Sequence, residues 1–352
     1  MKLRQRGQQL GTPVGSTESL KTQISRWENG KVAPGDFHRQ LLREVLNVSD
    51  EGLGFTPAGV STALTSPPSL TQALGRAALL EAGNTAHLHH QVEAIRKADG
   101  QSGAADVLEY ARKLLDDTTQ QRRYLVQTGA RRELAAVTAD LASLVGWQSL
   151  DVGDLDRAWT AFEEAKSAAR EAEDNALLAH ATGEQSFALL DLGRGRDGAD
   201  MVAEARQLRG LPPRLTAWLH AAEAENRAAA GDGEAARRSL AAAEALLPSS
   251  DEDAALTPYL RLDAANLTRW RGHCLGRLHD PGAVDELLEG LASVRGRYSR
   301  AEASVLVDLA AAELHRNDRD QAQHYLRQAT SLANRMGSVR QRRRLEALRQ
   351  AA

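Results

Sequence analysis

The chain has 352 residues, a formal net charge of −3, 42% hydrophobic and 26% charged residues, and a single cysteine. These figures describe a globular chain long enough for two or three domains and exclude an internal disulfide. No stretch is apolar enough to cross a bilayer and no secretory signal opens the chain, so a cytoplasmic location and no membrane partner are expected. Aromatic residues make up only 4%, while alanine, leucine and arginine dominate. Residues favoured in strands are therefore scarce, and helices are expected throughout.

In chain order, Lys2 to Leu10 offers at best a stunted helix before Gly11-Thr12-Pro13-Val14-Gly15. Pro13 would interrupt a second helix near its end. The next element, Leu20 to Gly30, is the most informative of the chain. On a helix, Leu20, Ile24 and Trp27 share one face at spacings of four and three. Lys21, Thr22, Gln23, Ser25 and Arg26 occupy the rest of the cylinder. Gly30 stands where a helix C-cap would enter the left-handed conformation. An anchored helix with a polar outer face suits a recognition helix, which must stay packed on its domain while offering donors and acceptors to base edges.

Ile24-Ser25-Arg26-Trp27-Glu28-Asn29-Gly30, followed by Lys31, Pro34 and the run Leu41-Leu42-Arg43-Glu44-Val45-Leu46-Asn47-Val48-Ser49, resembles the Cro/repressor-type (XRE) helix-turn-helix family. The resemblance covers roughly the first fifty residues. It implies a recognition helix at the motif, a proline-containing turn and a closing helix. It departs from the family at the start, where the first helix is short. Either the domain begins upstream of Met1 or it is degenerate.

Charge supports a distinct head. Residues 1–43 hold eight Lys/Arg against three acids, a balance of +5, which leaves −8 for the remainder. A basic module on an acidic body fits a nucleic-acid-binding head whose body does not bind nucleic acid. Residues 55–70 carry three prolines among small residues and read as a linker. The head is therefore expected at 1–54 and a helical body at 71–352.

From Thr71 onward, helices are expected between short turns at Asp99-Gly100, Val152-Gly153-Asp154, Gly231-Asp232-Gly233 and Asn317-Asp318, a connection length that joins antiparallel neighbours. Ala158-x3-Phe162-x2-Ala165 recurs as Ala236-x3-Leu240-x2-Ala243 and Ala322-x3-Leu326-x2-Ala329, with a weaker copy at Ala283-x3-Leu287 and a decayed one near Ala199-x3-Ala203. A small residue lets two helices approach, and the larger one a turn later fills the groove between them. Gly146 lies twelve residues before Ala158, on the preceding helix. The pattern resembles the tetratricopeptide repeat, with irregular spacing. Together with Gly146-Trp147, the whole resembles a group of actinomycete regulators that join a Cro/repressor-type head to a tetratricopeptide-like domain. That resemblance implies a transcriptional regulator.

Other constellations carry less. His87, His89 and His90 lack a carboxylate or cysteine at metal-ligand spacing and read as a solvated polar turn. Gly193-Arg194-Gly195-Arg196-Asp197-Gly198 lacks the lysine ending of a phosphate loop and reads as an inter-helix turn. Cys274, beside His273, reads as a buried thiol, and the basic run Arg340 to Arg349 as a solvated last helix. No Gly-x-Ser-x-Gly or HExxH motif is present.

The expected fold class is all-α: a helix-turn-helix head, truncated at its start, followed by a tetratricopeptide-like α-solenoid of antiparallel helix pairs. The expected function is DNA-binding transcriptional regulation, with the solenoid sensing a peptide, protein or small-molecule effector. Lys21, Thr22, Gln23, Ser25 and Arg26 are the expected groove contacts, with Lys31 and Arg39 on phosphates. Partners are double-stranded DNA, a peptide or protein in the solenoid groove, and a second copy held through the C-terminal helices from Ala322 onward, whose end faces no repeat would cover. No catalytic residue, metal or cofactor is expected. The alternative is an interaction scaffold whose degenerate head does not bind DNA.

Overall fold

The computed structural model describes residues 16–29, 31–32, 34–46, 72–75, 85–249 and 257–351, with the single positions Leu3, Arg6 and Leu70. Pro13, Gly30, Asn47-Val48-Ser49 and nearly all of the expected linker lie outside the described residues. The chain divides into two compact units, residues 1–72 and 73–352. Every regular element among the described residues is helical.

In the first unit, α1 (Thr17–Glu28) starts at Ser16, whose hydroxyl accepts from the Ser19 N–H at 3.2 Å. This bond satisfies one of the donors that every helix start leaves unpaired. The second helix, α2 (Asp36–Leu46), buries Leu41 and Leu42, and Leu20 of α1 is buried too. Ile24 and Trp27 are half-buried. The Trp27 ring lies 5.1 Å from that of His38, which ties α1 to α2.

The second unit begins with α3 (Thr85–Ser102), a 3-10 turn at Ala104–Asp106, and α4 (Leu108–Arg122). Five pairs follow: α5 (Thr128–Asp151) with α6 (Leu155–Ala172), α7 (Asn175–Asp191) with α8 (Gly195–Ala205), α9 (Pro213–Ala229) with α10 (Gly233–Leu246), α11 (Ala264–Arg277) with α12 (Ala283–Val294), and α13 (Ser299–His315) with α14 (Arg319–Arg335). A last helix, α15, spans Val339–Ala351. The helices pack in adjacent antiparallel pairs, as an all-α solenoid requires.

The odd-numbered helices form an inner row. Each of α5, α7, α9, α11 and α13 touches the next odd-numbered helix as well as its sequence neighbours. Sixteen of the 24 residues of α5 are buried, against five of 17 in outer α14. An element buried on most faces must be apolar or small nearly all round, whereas an outer helix needs one apolar stripe.

The repeated small-large-small pattern is the seam of each pair. Ala158, Phe162 and Ala165 are fully buried, as are Ala236, Ala243, Ala322 and Ala329, with Leu240 and Leu326 nearly so. A Cβ on Gly146 would stand 2.6 Å from Phe162 Cε1, so glycine is what lets α5 and α6 approach. Gly272 meets Leu287 in the same way. Ala224 with Leu240 and Ala310 with Leu326 occupy the matching places, alanine facing the smaller leucine. In α8 the seam shifts by one residue: Val202 is buried and Ala203 only half-buried.

Turn chemistry repeats as well. Gly153, Gly193, Gly231, His279 and Asn317 each follow an inner helix with φ between 57° and 81°. Asp154, Asp232 and Asp318 then cap the outer helix that follows, and Asp174 and Asp263 cap the inner helices α7 and α11, each through a carboxylate that accepts backbone N–H groups. Asp99-Gly100 departs from the expected pattern. It lies inside α3, and the chain turns at Gly103, φ 100°. His87, His89 and His90 are exposed on α3 rather than in a turn.

The end of the unit returns to its beginning. α13 packs beside α3, and α15 beside α5. The contacts between the two ends are polar, Arg300 with Asp99 and Ser338 with Asp151.

Candidate nucleic-acid interface and the charged interior of the body

Lys21, Thr22, Gln23, Ser25 and Arg26 are all exposed on α1, and Lys31 is exposed just beyond it. The burial of Leu20 and the Trp27–His38 contact set the helix rotation, which turns the five polar residues outward together. Thr22 spends its hydroxyl hydrogen on the Glu18 carbonyl at 3.0 Å, leaving its oxygen as an acceptor. Arg39 is placed differently. It is 6% exposed and its Nε donates to the Pro34 carbonyl at 2.9 Å. That position makes Arg39 a tie between the turn and α2, not a member of the exposed row.

The second concentration of charge lines the inner row of the body. Sequence reading passed over it because its members lie far apart in the chain. Arg300 donates to both Asp99 oxygens at 2.6 Å and lies 3.4 Å from Asp151. His273 sits between two carboxylates, Nδ1 at 2.8 Å from Asp308 and Nε2 at 3.1 Å from Glu225. Burial alone would lower the His273 pKa, but Asp308 and Glu225 outweigh it and hold the imidazolium above its ordinary range. Burial likewise pushes Glu225 and Asp308 up, and the charged imidazole keeps both below the usual carboxylate range. Glu225 also accepts from the Trp270 indole at 2.7 Å.

Trp147, Phe187, Trp218 and Trp270 run alongside, one on each of α5, α7, α9 and α11, with successive centroids 5.9, 6.4 and 6.1 Å apart. Cys274 turns the other way, into the Ala224–Leu240 seam, where burial raises its thiol pKa. It is not presented to any ligand.

The basic run at the C-terminus is the largest departure from expectation. One face of it is solvated, with Arg342, Arg343 and Arg349 exposed, and the other is packed against the body. Ser338 donates to Asp151 Oδ1 at 2.7 Å and accepts from the Gln341 N–H at 3.2 Å, so it caps α15 while tying it to α5. Arg340 grips both oxygens of Asp191 at 2.9–3.0 Å and lies over the Trp147 ring at 5.5 Å. Arg344 pairs with Asp308. The inner face thus offers one carboxylate from each of α5, α7 and α13 to the start of a basic helix.

Among the described residues no cluster of His, Cys, Asp or Glu is placed to hold a metal ion. No described helix is long and apolar enough to cross a membrane. Compared with protein-family models and with curated proteins, the chain matches none.

Proposed function

We propose that the chain is a DNA-binding transcriptional regulator whose α-helical body holds an effector. The observation that carries this reading is the row Lys21, Thr22, Gln23, Ser25 and Arg26, exposed together on one anchored helix in the basic part of the chain. A helix of that kind meets a major groove with hydrogen-bonding side chains, while Lys31 beside it meets a phosphate. The helix-turn-helix resemblance of the head supports the same reading. A single recognition helix covers too few base pairs to find one site in a genome, so the proposal includes a homodimer with two helices one groove turn apart, about 34–36 Å.

Titrating the full chain with duplex DNA at increasing salt tests it. Neutralising phosphates releases counterions, so affinity should fall steeply as salt rises. The alternative, an interaction scaffold that does not bind DNA, shares the body and differs in the head. It requires weak binding that salt barely changes.

A further inference from the structure

The acidic inner face and α15 fit each other as a groove and its occupant. Asp151, Asp191 and Asp308 come from three different inner helices, and each has a partner on or at the start of one short element, Ser338 to Arg344. The grip is mostly ionic. Among the described side chains of α15 the one buried apolar anchor is Leu345, 2% exposed, with Val339 and Leu348 half-buried. Arg342, Arg343, Glu346, Ala347, Arg349 and Gln350 are exposed. A helix with so small an apolar stripe gains little from burial, so its seat depends chiefly on these charged pairs. α15 is joined to α14 through the short turn Met336-Gly337-Ser338, with Gly337 at φ 66°.

Beneath α15 the groove has what a basic helix needs. Asp191 and Asp308 meet arginines at positions i and i+4, one turn apart on one face of the helix. Trp147 and Phe187 add flat rings under the Arg340 guanidinium, at 5.5 and 6.0 Å. Val339 and Arg343 crowd Gly153, where a Cβ would stand 2.8 Å from Val339 Cγ1, so the helix is seated closely on the turn after α5.

We propose that α15 is a displaceable strap over a binding groove, and that the groove's partner is a protein helix bearing two arginines one turn apart. Such a helix makes the same pairs with Asp191 and Asp308 and the same stacking on Trp147, and its entry requires α15 to leave. Departure of α15 also breaks the Ser338–Asp151 link between the two ends of the row. This inference does not rest on DNA binding by the head, since every contact it uses lies within the second unit.

The test uses the full chain and a labelled synthetic peptide of residues 339–351 as the arginine-bearing helix. Wild-type protein, its groove filled, should bind the peptide weakly. The double substitution Arg340→Ala with Arg344→Ala loosens the resident helix and should bind the peptide about tenfold more tightly, as expected when charge-assisted pairs are removed from the competitor. The gain should shrink as salt rises, and adding Asp191→Asn should abolish it. Equal peptide binding by wild type and double variant overturns the proposal, as does a gain that Asp191→Asn leaves intact. If circular dichroism shows the double variant unfolded, hydrogen exchange on Asp191→Asn alone decides. Faster exchange confined to 339–351 supports the strap, and unchanged or globally faster exchange overturns it.

Discussion

Arg340 donates to both carboxylate oxygens of Asp191, a residue 149 positions earlier in the chain. The pair closes the row of inner helices on itself, and the indole of Trp147 backs the guanidinium at 5.5 Å. The Arg340 side chain is 15% exposed and that of Asp191 24%, so water screens the pair only in part. Arg340→Ala should cost about 1.5–3 kcal/mol, the range for hydrogen bonds to charged groups, in urea-induced unfolding of the full chain. Arg340→Lys should recover less than half of that loss, because an ammonium makes neither the bidentate grip nor the flat stack. Full recovery by lysine would show that only the charge matters.

The seam of α5 and α6 gives a prediction with its own rescue. Gly146→Ala forces a methyl to within 2.6 Å of the Phe162 ring and should destabilise by about 1–3 kcal/mol, as overpacking does. Other seams of the same body pair alanine with leucine, at Ala224 with Leu240 and Ala310 with Leu326. Adding Phe162→Leu to Gly146→Ala should therefore lose less than the two single changes summed. Strict additivity in a double-mutant cycle would show that the two positions do not share one gap.

Glu184 and His180 predict a pH effect. Glu184 Oε1 lies 3.6 Å from His180 Nε2, beyond hydrogen-bond range. Burial pushes Glu184 up to about 8 and His180 down to about 3, so both are neutral at pH 7. A folded pKa above the unfolded value means that the native state holds the proton more tightly. The contribution of Glu184 is full below pH 4.5 and is lost as pH rises through 8. His180 acts in the opposite direction, with its contribution full above 6.5 and lost as pH falls toward 3. Glu184→Gln should remove the first slope only. The melting temperature of the variant, relative to wild type, should therefore rise between pH 5 and 8.5. A constant difference across that window would mean that Glu184 ionises normally in the fold.

In the head, Arg26 and Arg39 should behave differently. Arg26 is exposed, so Arg26→Ala should leave the melting temperature unchanged and weaken binding to a specific DNA site by about 1–3 kcal/mol if it reads a base. Arg39 is buried against the Pro34 carbonyl, so Arg39→Ala should destabilise the head itself. Circular dichroism melts alongside DNA titrations separate the two. Loss of head stability in Arg26→Ala would remove it from the proposed contact row.

The sequence by itself determined the local layers of this protein. Alanine-rich seams, glycine and asparagine turns and aspartate caps are written in spans of a few residues, because helix pairing needs only a small residue and a larger one at a fixed offset. Ala158, Ala236 and Ala322 could therefore be placed on buried seams from spacing alone. The exposed row on α1 was readable for the same reason, since Leu20 sets the rotation of its own helix. Asp99-Gly100 misled because a glycine signals a turn only when the chain on either side of it is free to leave the helix, and α3 continues through it. What only the tertiary structure decided is the closure. The basic run from Arg340 looks like a solvated face until Asp191 and Asp308 are placed beside it. That placement depends on a small rotation between helix pairs, accumulated over the whole row. No single repeat encodes the sum, so the meeting of the last helix with the first ones is a property of the assembled row alone.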